Sequence, residues 1–90
     1  MEKYEVVKQL DYALNGVFIK GKIVKDAFAE ANDEYPFSWE ISHYCAVEGE
    51  FDPYTPSNRM GRTVEEAERG LDNYVKRFES YTSIRENNNF

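Results

Sequence analysis

The sequence is short of most things that identify a protein at sight. It holds one cysteine, Cys45, and one histidine, His43. A single cysteine closes no internal disulfide, which makes the reducing cytoplasm the expected location. Zinc sites draw on several Cys and His side chains, so no metal is expected, and nothing points to another cofactor. No run comes near the 18 or so apolar residues of a membrane span. The opening Met1-Glu2-Lys3-Tyr4-Glu5 lacks the apolar stretch of a signal peptide. Neither a glycine-lysine phosphate loop nor a dinucleotide fingerprint is present. Positive charge is missing altogether from Asp26 to Asn58.

What is there suits one small folded domain. Ninety residues, 41% hydrophobic and 31% charged, give a thin core and no disordered composition. Seventeen acids against eleven bases leave −6, which argues against direct nucleic-acid binding by the whole surface. The excess is not evenly spread. The stretch without lysine or arginine carries Asp26, Glu30, Asp33, Glu34, Glu40, Glu48, Glu50 and Asp52, hence −8, and the remainder carries +2.

Two elements are plain from periodicity. Val64, Ala67, Leu71, Tyr74, Val75 and Phe78 recur at three- and four-residue steps, one face of an amphipathic helix. Thr63 stands as N-cap with Glu66 three residues on, a capping box, so a helix is expected over about 63–80. Gly70 sits at the edge of that face, where glycine costs about 1 kcal/mol against alanine. Close approach of another element would explain it. From position 37 to 47 the odd residues Phe37, Trp39, Ile41, His43, Cys45 and Val47 alternate with Ser38, Glu40, Ser42, Tyr44 and Ala46. That period predicts a strand over about 37–48, core-facing on the odd side and with Tyr44 facing water.

The first third is less decided. Asn15-Gly16 is a strong two-residue hairpin signal between apolar runs, which predicts a hairpin over about 4–20. Val7, Leu10, Leu14, Val17, Gly21, Val24, Phe28 and Ala31 also keep helical steps, so one long helix is the alternative. Ile23, Val24, Ala27, Phe28 and Ala31 predict a second helix at about 22–33. The expected fold class is α+β: a small antiparallel sheet packed by these two helices. Residues 1–84 form the domain, with 49–62 a long loop and 85–90 a frayed tail.

Several constellations invite chemistry. His43 and Cys45 share a strand face, yet residues two apart project in parallel and are more simply a core pair than a thiol dyad. Glu48-x-Glu50-x-Asp52 matches the start of a calcium loop. Positions six and twelve then hold Pro53 and Arg59 where glycine and glutamate are needed. Arg59 and Arg62 flank the start of the last helix, where free amides suit an anion, or they pair with neighbouring acids. No catalytic residues are expected.

The remaining feature is the placing of aromatics among acids. Glu34, Tyr35, Glu40, Tyr44, Glu48, Glu50, Phe51, Asp52 and Tyr54 are the expected partner-binding residues. Aromatic anchors with a charged rim are a common interface pattern, and a solvated acidic face is the plain alternative. The expected function is a small non-catalytic regulator or inhibitor that binds a basic surface of a protein partner. Inhibitors of nucleic-acid-handling or defence proteins and antitoxin-like proteins belong to that class. Gly61-Arg62-Thr63-Val64-Glu65-Glu66-Ala67 loosely resembles the helix entry of small antitoxin-type domains, over under a fifth of the chain. The alternative function is a small-ligand or anion-binding domain built on Arg59 and Arg62. No membrane contact is expected, and the oligomeric state is open.

Overall fold

The computed structural model describes residues 1–14, 16–80 and 83–90. Strands β1 (Tyr4–Leu14) and β2 (Val17–Asp26) form the long hairpin. Leu14 pairs with Val17. The connection therefore has two residues, and Gly16 takes the positive φ of 81° that such a turn needs. Asn15, the other half of the expected turn, lies outside the described residues. Strand β3 (Phe37–Ile41) pairs antiparallel with β2, and the short β5 (Met60–Gly61) pairs with β3. The sheet order is β1-β2-β3-β5. Helix α1 (Val64–Lys76) and a 3₁₀ turn (Arg77–Glu79) follow. Strands β4 (His43–Ala46) and β6 (Ser83–Glu86) make a separate two-stranded sheet. The chain is α+β, and no described helix is long and apolar enough to cross a membrane.

The expected helix at 22–33 does not form. Residues 22–26 continue β2, where Ile19, Gly21 and Ile23 alternate onto the core face opposite Ile41 and Trp39. A five-residue apolar stripe fits a helix and a strand equally on paper. Pairing with β1 and β3 decides for the strand, because it buries Ile23 completely and satisfies its backbone. The strand ends at Asp26, whose carboxylate accepts the Phe28 amide at 2.9 Å in a local Asx turn. Beyond it Phe28 is 55% exposed, so a helix there would have had no surface to pack on.

The expected strand at 37–48 breaks at Ser42. Its amide donates to the Lys20 carbonyl and its hydroxyl accepts the Lys20 amide, both at 2.8 Å. The Ser42 carbonyl takes the Asn87 amide at 2.8 Å, and the Asn87 side chain reaches the Ile41 carbonyl at 2.9 Å. One serine thus closes the first sheet and hands the chain to the second. Beyond the bend the strict alternation is lost, although Cys45 stays buried. Tyr44 packs half-buried against the core instead of facing water, Ala46 is buried and Val47 is exposed. The same contacts correct the expected frayed tail at 85–90. Arg85 and Glu86 lie in β6, Asn87 is tied to the Ser42 bend, and the Phe90 ring sits 4.4 Å from the Lys22 ammonium.

The core lies between α1 and the sheet. Ala67, Leu71, Tyr74, Val75 and Phe78 pack on Ile19, Ile23, Trp39, Ile41 and Cys45. The Thr63 hydroxyl accepts the Glu66 amide at 3.0 Å and so caps α1. Thr63→Ala is expected to cost about 1 kcal/mol, read as a lower midpoint in urea with unchanged slope. Gly70 of α1 rides over Trp39: a Cβ there would come 2.9 Å from the indole Nε1.

Candidate partner-binding surface

The nine residues expected at the interface fall into separate settings. Glu34 and Tyr35 lie in the loop before β3, beside the start of α1. The Arg62 guanidinium donates to the Tyr35 hydroxyl at 3.2 Å, stands 3.4 Å from the Glu34 carboxylate, and covers the Tyr35 ring at 5.4 Å. Arg62 is therefore turned toward this acidic loop. The other arginine of the expected anion site, Arg59, gives its carbonyl to the Trp39 amide at 2.9 Å and leaves its side chain exposed. Glu65 and Glu66 already occupy the first turn of α1, where their charge complements the helix dipole.

Glu40 is on the sheet face away from α1. It pairs across the strands with Lys22 at 3.4 Å. Tyr44 and Tyr54 belong to the margin of the core. The Tyr54 ring stacks on Tyr74 at 6.0 Å with planes 16° apart, and its amide donates to the Cys45 carbonyl at 2.8 Å. The Tyr74 hydroxyl accepts the Cys45 amide at 3.3 Å and donates to the Tyr54 carbonyl. Burial first, and then the neighbouring thiol, push this phenol well above the usual tyrosine range.

Glu48, Glu50, Phe51 and Asp52 stand together on the loop between β4 and β5. Cys45 and Tyr54 bridge its base. Gly49 turns it with a φ of 89°, and the Glu50 amide bonds to the Val47 carbonyl at 3.1 Å. Arg85 of β6 donates from its two terminal guanidinium nitrogens, Nη2 to the Glu50 carbonyl and Nη1 to the Phe51 carbonyl. The loop therefore has a fixed shape. Its tip, Phe51, is 90% exposed among three exposed carboxylate side chains. Arg85 carries no signal in the sequence, because it lies in a polar run with the pattern of a tail. Its role depends on a β4–β6 pairing that no local pattern announces.

The His43 and Cys45 pair is divided. His43 Nδ1 lies 2.7 Å from the Ser42 hydroxyl, while Cys45 is wholly buried in the core. Among the described residues no three His, Cys, Asp or Glu side chains are grouped to hold a metal ion. Comparison with protein-family models, with curated proteins and with solved structures finds no match to this chain.

Proposed function

We propose that this chain is a non-catalytic regulator or inhibitor that docks on a basic surface of a protein partner, led by the loop at 47–53. The observation that carries the reading is Phe51: a large aromatic side chain held almost fully in water on a braced loop, ringed by Glu48, Glu50 and Asp52. Burying a phenylalanine from such a position gains about 1.5–3 kcal/mol. A loop already fixed by Arg85 loses little further entropy on docking. The three acids steer a basic partner and oppose acidic competitors. A cytoplasmic protein whose cationic face handles nucleic acid is the partner class that fits, the loop taking the place of phosphates.

The test is capture of a partner from the source cells by the immobilised chain, followed by titration of that partner against variants. Phe51→Ala is expected to weaken binding at least about tenfold, in the manner of an interface anchor. Replacing Glu48, Glu50 and Asp52 together by Lys is expected to remove binding and its salt dependence. Arg62→Ala, on another part of the surface, is expected to leave it unchanged. All these side chains are exposed, so thermal melts serve as the folding control. A partner that binds the triple-lysine variant as well as the parent would overturn the proposal.

A further inference from the structure

A groove of about 200 Å³ runs between α1 and the loop that leads into β5. Trp39 and Gly70 form its floor, and Tyr54, Asn58, Asn73 and Arg77 are among its walls. Gly70, Asn73 and Tyr74 on one face of α1, and Arg77 at the start of the 3₁₀ turn that continues it, reach the groove together because they follow one another at helical steps.

The floor holds an unused donor. Trp39 is 2% exposed, and among the described residues its amide bonds to the Arg59 carbonyl while no hydrogen bond engages its Nε1. No enclosed side-chain nitrogen or oxygen in the described chain lacks a partner, so this N–H opens to solvent. Gly70 lines the groove beside it, and a Cβ built there would stand 2.9 Å from Nε1 and cover it. The absent side chain keeps the N–H uncovered, at a cost in helix propensity of about 1 kcal/mol.

The charge of the groove runs against that of the chain. None of its lining residues is acidic, although the chain has seventeen acids. Its one ionised group is cationic: the Arg77 guanidinium, which lies 4.7 Å from the centre of the Tyr54 ring and makes no ion pair among the described residues. Asn58 and Asn73 add amide donors. The residues that carry an indole N–H, a guanidinium and two amides line a space smaller than the usual 300–1,000 Å³ of drug-sized pockets.

We infer that this groove binds a small oxyanion, a carboxylate or phosphate group, with Trp39 Nε1 donating from the floor and Arg77 closing from the rim. The site is distinct from the loop at 47–53 and stands whether or not that loop docks a partner.

Trp39 is the one tryptophan of the chain, so its indole N–H gives a single, assigned resonance. The experiment titrates the full chain with sodium phosphate or sodium acetate at constant ionic strength, chloride as control, and follows that resonance. The expected result is a saturable downfield shift with phosphate or acetate and none with chloride. Whichever anion saturates first identifies the ligand class. Arg77→Gln and Asn73→Asp change exposed positions and are expected to weaken the response at least about tenfold, the scale of a charge-assisted hydrogen bond. An indole resonance that moves with neither anion, or that moves alike in the parent and both variants, overturns the inference.

Discussion

Gly61→Ala is expected to lower the unfolding free energy by about 3 kcal/mol or more, the upper end of overpacking in a filled core. Gly61 is buried at the end of β5, where it pairs with Phe37. A Cβ there would lie 2.7 Å from the Ala67 amide nitrogen and 3.0 Å from its Cα and Cβ. These atoms cannot rotate away. The Ala67 amide is bonded to the Thr63 carbonyl at 3.1 Å, inside the capped first turn. The methyl must therefore lift α1 from the sheet or unpair β5 from β3. For a domain of this size each kcal/mol moves Tm by about 4–8 °C, so a fall of roughly 12 °C or more is expected in a thermal melt. Gly49→Ala is the useful comparison. Its φ of 89° disfavours a side chain, but nothing lies within 4 Å of the added carbon. It should cost about 1–2 kcal/mol, the strain of a left-handed residue alone. A Gly61→Ala variant no weaker than Gly49→Ala would mean that β5 and α1 are not in contact.

The parts of this fold that were legible in the sequence are those written in neighbouring residues. The stripe from Val64 to Phe78 and the Thr63 cap announce α1, and Asn15-Gly16 announces the hairpin. The parts that were not legible depend on partners far along the chain. Nothing near Ser42 marks a break, because the alternation from Phe37 to Val47 runs straight through it. The break is made by Lys20 on one side and Asn87 on the other. Ile23 and Val24 are strand residues because Trp39 and Val6 stand opposite them, a pairing invisible within the segment itself. The candidate site follows the same logic. Counting acids along the chain found Glu48, Glu50 and Asp52, but it merged them with Glu34 and Glu40. The fold seats those two elsewhere, Glu34 beside Arg62 and Glu40 across from Lys22. Gly70 stood out by its cost, and only the structure brings Trp39 beneath it.

Leu71→Ala is the second large effect expected, and its partner residue makes it a test of geometry as well as of stability. Leu71 is fully buried on the face of α1 that meets the sheet. Truncating a buried leucine costs about 2–5 kcal/mol, more where the walls cannot collapse. The wall opposite is β2, held between β1 and β3 and unable to move in. At its centre Gly21 leaves room for the leucine: a Cβ there would stand 2.6 Å from one Leu71 Cδ and 3.3 Å from the other. Gly21→Ala alone should therefore destabilise by about 1–3 kcal/mol. It should cost less than Gly61→Ala, because a leucine side chain can rotate where a helix backbone cannot. Combined with Leu71→Ala, the same methyl enters the space the leucine has left. It also removes a glycine from a strand interior, where glycine weakens the strand. The double variant is accordingly expected to be more stable than Leu71→Ala alone by about 1 kcal/mol, in a cycle of urea titrations whose coupling has the sign of a rescue. Losses that simply add would show that Gly21 does not lie beneath Leu71. In that case the placing of α1 across β2 would be wrong, and with it the seating of Gly70 over Trp39, since both glycines fix the same helix on the same sheet.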